Sequence, residues 1–344
     1  MSVAPTQQDI AEHAKVSRSM VSHVLRGRTD LGINEQTRQR VLNAMRDLGY
    51  RPRQRVTQPS GEQLLAVSLG PGIIDSFANP FHAQVMRGLH DGASACGYHL
   101  MLIETAFSEG DLHPVLAERR IEGVLQIGLM DEVKLQQLHN VGLPVCLINT
   151  WCRQGDVDCV VIDGHEAGRV AVDYLFDQGH RHIAHLSGPA FSVVSNWLRE
   201  GYEQRMAELG LAPIVIEFPC QMGNEIDRAA GQEMAREYLT RRKADCHAVT
   251  AIFGTNDQVA MGAMELLVAT GLRLPDELSI MGMGDIVGAD CSIPPLSTLI
   301  APKYEMGRLS VERLISRIGQ PDQLPQRTVL PMNKICRRQS VLQI

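Results

Sequence analysis

The apolar positions of this chain fall into two regimes. Between residues 6 and 48 they recur at helical spacing: Ile10, Ala11 and Ala14 form one stripe, Met20, Val21, Val24 and Leu25 a second, and Val41, Leu42, Met45 and Leu48 a third. Each stripe follows a residue suited to capping a helix. Thr6, with Asp9 three residues on, opens the first, Ser17 the second and Asn34 the third, which Gly49 stops. The bend at Lys15-Val16 is short. Two short helices joined by a tight turn and braced by a third predict a helix-turn-helix head. Residues 51–62, RPRQRVTQPSGE, carry Pro52, Pro59 and Gly61 and no apolar period, which reads as a linker.

From Leu64 the pattern changes. Short apolar runs such as LLAVSL, GVLQIG, HIAHLS and AVTAIFG each precede a helical stretch. The helical stretches are Phe81–Ala95, Leu112–Arg120, Glu132–Asn140, Glu166–Gln178, Leu198–Leu209, Ile226–Arg242 and Gln258–Thr270. Alternation of this kind over more than 200 residues predicts an α/β body of parallel, doubly wound sheets with helices on both faces. So many strands suit two similar lobes with a cleft between them better than one sheet.

Charge sharpens this division. The net charge is -6, yet residues 1–58 hold ten Lys/Arg against five Asp/Glu, leaving 23 basic against 34 acidic residues in the remainder. A basic head on an acidic body is the layout of a protein that touches phosphates at one end. The eight cysteines (Cys96, Cys146, Cys152, Cys159, Cys220, Cys246, Cys291 and Cys336) include no CxxC pair, which fits reduced thiols and no metal site. No apolar run of about 18 residues predicts a membrane span, and the N-terminus does not read as a secretory signal. A cytoplasmic chain with no cofactor is expected. An enzyme would need a catalytic cluster. The best, GHRHIAHLSG, sets His182 and His185 on opposite faces of a strand, with His180 just before it, so joint metal ligation is awkward. GMGDIVG lacks the GxGxxG spacing. A transport or signalling sugar-binding protein fits the body and leaves the basic head without a role.

Several segments together resemble the lac repressor family: DIAEHAKVSRSMVSHVLRG and NEQTRQRVLNAMRDLGYRP in the head, and NPFHAQVMRGLHDGASACGY, FDQGHRHIAHLSGP, TNDQVAMGAMELLVATGLRLPDELSIMGMGD and PPLSTLIAPKYEMG in the body, in the family's order. The resemblance implies a DNA-binding head over 1–50, a hinge over 51–62 and a ligand-binding and dimerisation body over 63–344 like the periplasmic sugar-binding proteins. Lobe one would hold about 63–162 and 303–329, and lobe two about 163–300 and 330–344. RTVLPMNKICRRQS looks like the family's last strand. The implied protein is a homodimeric transcriptional regulator, a repressor, that reads a pseudo-palindromic duplex and responds to a small polar effector: a sugar, sugar acid or sugar alcohol first, a nucleobase second.

The resemblance also assigns residues. Ser17, Arg18, Ser19, Ser22 and His23 would face the major groove, Arg18 being suited to bond guanine O6 and N7 together. His23 stands where the family commonly has Arg. Thr6, Asn34, Thr37 and Tyr50 match phosphate-contact positions, and Arg53 and Arg55 are placed to reach phosphates from the hinge. Pro59 replaces the family's wedging Leu, so weaker central bending of DNA is expected. In the cleft, the resemblance points to Phe81, Asn149, Asn196 and Asn256, with Asp285 beside Gly284, which stands where the family has Asp. Asp257 is expected to hold a loop instead. Trp151, Asp75 and His165 lie near the implied cleft loops.

Overall fold

The computed structural model describes residues 7–25, 33–48, 63–70, 79–104, 116, 121–130, 132–152, 157–218, 226–244 and 249–344. Thr6, Gly49, Tyr50, the 51–62 linker with Arg53, Arg55 and Pro59, Asp75, and the 112–120 stretch apart from Leu116 lie outside them.

The head contains α1 (Gln7–Ala14), α2 (Arg18–Leu25) and α3 (Glu35–Asp47). Ile10, Val21 and Val41 are fully buried and meet over Ala11, Ala14, Val24 and Ala44. The turn between α1 and α2 is made by Lys15, which takes a left-handed φ of 52°. That conformation lets the Val16 N–H donate to the Ala11 carbonyl at 3.0 Å and close α1. The Ser17 hydroxyl oxygen then accepts the Met20 N–H at 3.1 Å, and Asn34 Oδ1 accepts the Thr37 N–H at 2.7 Å, so both act as N-caps.

The body has two lobes. Lobe one contains β1 (Leu64–Leu69), α4 (Pro80–Ala95), β2 (His99–Glu104), β3 (Gly123–Ile127), α5 (Glu132–Asn140), β4 (Val145–Ile148) and β5 (Asp158–Ile162). Lobe two follows with α6 (Gly164–Asp177), β6 (Ile183–Ser187), α7 (Val193–Glu208), β7 (Ile214–Glu217), α8 (Arg228–Ala244), β8 (Ala251–Gly254), α9 (Asp257–Ala269), β9 (Ser279–Gly284) and β10 (Ser297–Ile300). The chain returns to lobe one for α10 (Lys303–Gly319) and β11 (Arg327–Leu330), then to lobe two for β12 (Ile335–Cys336). The strand orders are β11-β5-β4-β3-β1-β2 and β12-β10-β9-β8-β6-β7. Substituting strand for strand, one strand order is used twice, with the edge strand reversed in lobe two. All pairings are parallel except β10–β12.

Two expectations need correction. The segment RTVLPMNKICRRQS is not one strand. Leu330 ends β11 in one sheet, and Ile335 pairs with Leu299 antiparallel in the other, because the chain crosses lobes between them. The helix expected from Leu198 starts at Val193, where Ser192 Oγ accepts the Ser195 N–H at 3.3 Å. Its first turn, Val193-Val194-Ser195, carries no helical apolar period to announce it.

The strands are buried on both faces: every residue of β3, β4, β5, β6 and β8 is buried, as expected for parallel sheets covered by helices. The covering helices approach in pairs, α4 on α10, α6 on α7 and α8 on α9. Glycines allow this contact. A Cβ on Gly88 would overlap the Tyr304 carbonyl, one on Gly201 the His165 carbonyl and one on Gly262 the Arg228 carbonyl. Crossovers are tied to one another: the Asp163 N–H donates to the Leu330 carbonyl at 2.8 Å, and the Met332 N–H to Glu166 Oε2 at 2.9 Å.

Candidate functional sites in the head and the interlobe cleft

On α2, Arg18 and Ser19 are exposed and Ser22 and His23 are half-buried. His23 Nε2 lies 3.1 Å from Ser19 Oγ, and its Nδ1 is buried without a partner. His23 therefore turns along the helix toward Ser19. Thr37 Oγ1 accepts from Arg40 at 3.2 Å, one turn into α3.

The cleft opens where both sheets reverse their order, at the carboxyl ends of the strands, the position open α/β sheets reserve for ligands. It encloses about 240 Å³, room for a small molecule. Lobe one lines it from the start of α4 (Phe81, His82) and the ends of β3 and β4 (Leu129, Asn149, Thr150), and lobe two from the start of α7 and the ends of β8 and β9. Asn79 Oδ1 caps α4 by accepting the Phe81 N–H at 3.0 Å, with Pro80 at the first helical position. This cap sets the Phe81 and His82 rings edge to face, 5.6 Å apart. Asn149 takes a left-handed φ of 57°, which Asn tolerates, while its N–H donates to the Val160 carbonyl at 2.8 Å.

Three lining side chains hold buried polar atoms without partners: His82 Nδ1, Asn149 Oδ1 and Thr150 Oγ1, all in lobe one. Burial holds His82 neutral by lowering its pKa to about 4. In lobe two the side chains of Asn256 and Asp257 are already engaged. Asn256 Oδ1 caps α9 by accepting the Val259 N–H at 2.8 Å, and its Nδ2 donates to the Ile226 carbonyl at 3.0 Å. Asp257 accepts the Ile286 N–H at 2.9 Å and the Thr298 hydroxyl, so it holds the loop after β9. Burial raises its pKa to about 6.

Asn196 and Asp285 do not line the cavity. Asn196 Nδ2 donates to the Ala190 carbonyl at 2.6 Å and braces the turn before α7. Asp285, with φ 53°, is turned toward the C-terminal segment, where Arg338 donates to its Oδ1 at 2.7 Å. Phe81, Asn149 and Asn256 do line it. His165 bonds Gln204 at 2.8 Å on the surface, and Trp151 packs on Trp197. Sequence reasoning missed His82 and Thr150; each directly follows a residue it did single out, Phe81 and Asn149. His182 is exposed while His185 is buried against the Phe253 carbonyl, so the two point apart. None of the described helices is long and apolar enough to cross a membrane.

Residues 6–53 match the model of bacterial regulatory proteins of the lacI family, and residues 172–341 match that of the periplasmic binding protein-like domain. The chain is 28% identical to the ribose operon repressor of Haemophilus influenzae, covering 92% of this chain and 93% of the relative. It is similar in structure to the transcriptional regulator CelR in its cellobiose complex, with TM-score 0.69, 25% identity and coverage of 98% of this chain and 99% of that one. To the HTH-type transcriptional repressor PurR of Aliivibrio fischeri it is 30% identical over 98% of both chains. With that head, that two-lobed body and likeness along nearly its whole length, the chain belongs to the lacI family of bacterial regulatory proteins and is a DNA-binding transcriptional regulator.

Proposed function

We propose that this regulator is a cytoplasmic, non-enzymatic repressor, acting as a homodimer on a pseudo-palindromic operator, and that an uncharged polyhydroxylated molecule, a neutral sugar or sugar alcohol, controls it from the interlobe cleft. One observation carries the choice of ligand: the unspent hydrogen-bonding capacity of the cavity is neutral. Among the described residues Asp257 is the sole charged side chain lining it, and both its oxygens are engaged. His82 is neutral. An anionic ligand would bury its charge without a cation, at a cost of several kcal/mol. A polyol suits an amide oxygen, a hydroxyl and an imidazole nitrogen, each of which leaves a cost of about 1–3 kcal/mol when unpaired. Sugar acids are therefore the less favoured branch. The ribose operon repressor and the cellobiose complex among the similar proteins agree with a sugar.

Thermal shift and calorimetry with D-ribose, D-galactose, cellobiose and D-mannitol, set against D-gluconate and ribose 5-phosphate, test the reading. A neutral compound is expected to bind, to lose roughly tenfold in affinity in Asn149→Leu, and to keep its affinity in Asn196→Ala. Binding confined to the anions overturns it.

A further inference from the structure

We propose that Trp151, Trp197 and Arg327 are positioning residues that set the angle between the two lobes, and through it the response of the regulator to its effector. The three come from separate elements. Trp151 follows β4 in lobe one, Trp197 sits in the first turns of α7 in lobe two, and Arg327 opens β11 in lobe one. The two indoles stack with centroids 5.9 Å apart and planes 28° apart. The Arg327 guanidinium lies over both, 4.7 Å from the Trp151 ring centre and 5.2 Å from that of Trp197. The stack thus bridges the lobes through side chains alone, in addition to the three crossovers of the main chain.

Its placement couples it to the cleft. Thr150, adjacent to Trp151, lines the cavity, and so does Ser195, two residues before Trp197. Trp197 Cβ also lies only 3.1 Å from where a Cβ on Gly164 would stand, so the start of α7 packs closely on the start of α6, just after the first crossover. Trp151 Nε1 is buried without a partner. An indole N–H usually finds an acceptor when buried, so the ring is held here by its stacking partners. A gap of about 0.5–1 Å forfeits roughly a quarter to a half of the contact energy, so a small rotation of lobe two weakens the stack steeply. Engaged and broken clasps are two discrete states, as a switch between lobe angles requires. Gly164 has no Cβ to crowd that of Trp197, and Arg327 is exposed, so the cation can leave the stack without opening the core.

The chain has two tryptophans, both in this clasp, so its intrinsic emission reports on the clasp. The test needs no ligand. Small-angle scattering and tryptophan emission are measured on the full chain carrying Arg327→Ala, Trp197→Ala or Trp197→Phe. Arg327→Ala and Trp197→Ala are expected to shift the opening equilibrium roughly tenfold, expanding the scattering profile, with redder emission of the remaining indoles. Trp197→Phe, which keeps an aromatic stack, is expected to retain the parental profile. A merely local packing role would lower thermal stability without moving the profile. Should Trp197→Ala fail to fold, the exposed Arg327 carries the test. A folded Arg327→Ala protein whose scattering superimposes on that of the parent overturns the proposal.

Discussion

Asp257 accepts the backbone N–H of Ile286 at 2.9 Å, so the residue that opens α9 also fixes the loop leaving β9. The surroundings are built for that bond. A Cβ on Gly282 would overlap Asp257 Oδ1, and Gly284, at φ 138°, takes a conformation that a side chain resists. Lys303, buried at the second crossover, donates to the Gly284 carbonyl and, at 3.0 Å, to that of Asp285. The position where the resemblance implied an effector carboxylate is thus a glycine for backbone reasons, and the nearby carboxylates serve the loop and the C-terminal segment.

Asp257 should make stability depend on pH in the unusual direction. Its folded pKa, about 6, lies above its value in the unfolded chain, about 3.8. Between these values the folded state binds the extra proton, so this group stabilises the fold as pH falls through 6. From pH 7.5 to 5 its contribution rises by about 1.4 kcal/mol. The stability of Asp257→Asn minus that of the parent should fall by the same amount over that range. Urea unfolding at the two pH values measures the difference; a constant difference contradicts the expectation.

Much of the fold was legible because its signals are local. Ser17 and Asn34 announce helices by their side chains, and runs such as GVLQIG announce buried strands by composition. What was not legible depends on partners distant in sequence. Asp285 looked like a cleft residue until Arg338, fifty-three residues on, claimed it. Asn196 looked like a ligand contact, yet the Ala190 carbonyl takes its amide. The repeated strand order leaves no sequence repeat, since topology constrains burial and not residue identity.

Gly88→Ala should be costly. The new methyl would meet the Tyr304 carbonyl, which α10 cannot withdraw without leaving α4. A loss of about 3 kcal/mol is expected. Gly319, whose Cβ position is open, is the control, and Gly319→Ala should stay within about 0.5 kcal/mol of the parent. Equal melting temperatures for the two variants would contradict the close helix contact.

Arg317 and Asp158 form the most buried ion pair described, at 2.6 Å with side chains 13% and 2% exposed. Asp158 also accepts the Gln326 N–H at 2.9 Å, so the pair ties α10 and the approach to β11 onto β5. Arg317→Ala should cost about 3 kcal/mol, because it strands a buried carboxylate. Arg317→Met combined with Asp158→Asn should cost less, since no bare charge remains. Chemical denaturation that ranks the double variant below the single one would refute this.

The head offers the last test. Arg18 stands exposed at the start of α2, and Ser19 is occupied by His23, so base reading is expected to fall to Arg18 and phosphate contact to the helix termini around it. Arg18→Ala should cost about 1–3 kcal/mol on an inverted-repeat site selected from random DNA, and should relax preference at one base pair per half-site. Arg18→Lys separates charge from geometry. Lysine keeps the cation but lacks the planar fork, so the salt dependence of binding should hold while the base preference fades. His23→Ala should cost less than Arg18→Ala, because it only frees the Ser19 hydroxyl. Competition gel shifts at several salt concentrations decide between the roles: if Arg18→Lys binds with parental preference and affinity, Arg18 holds a phosphate and the operator is read by other residues.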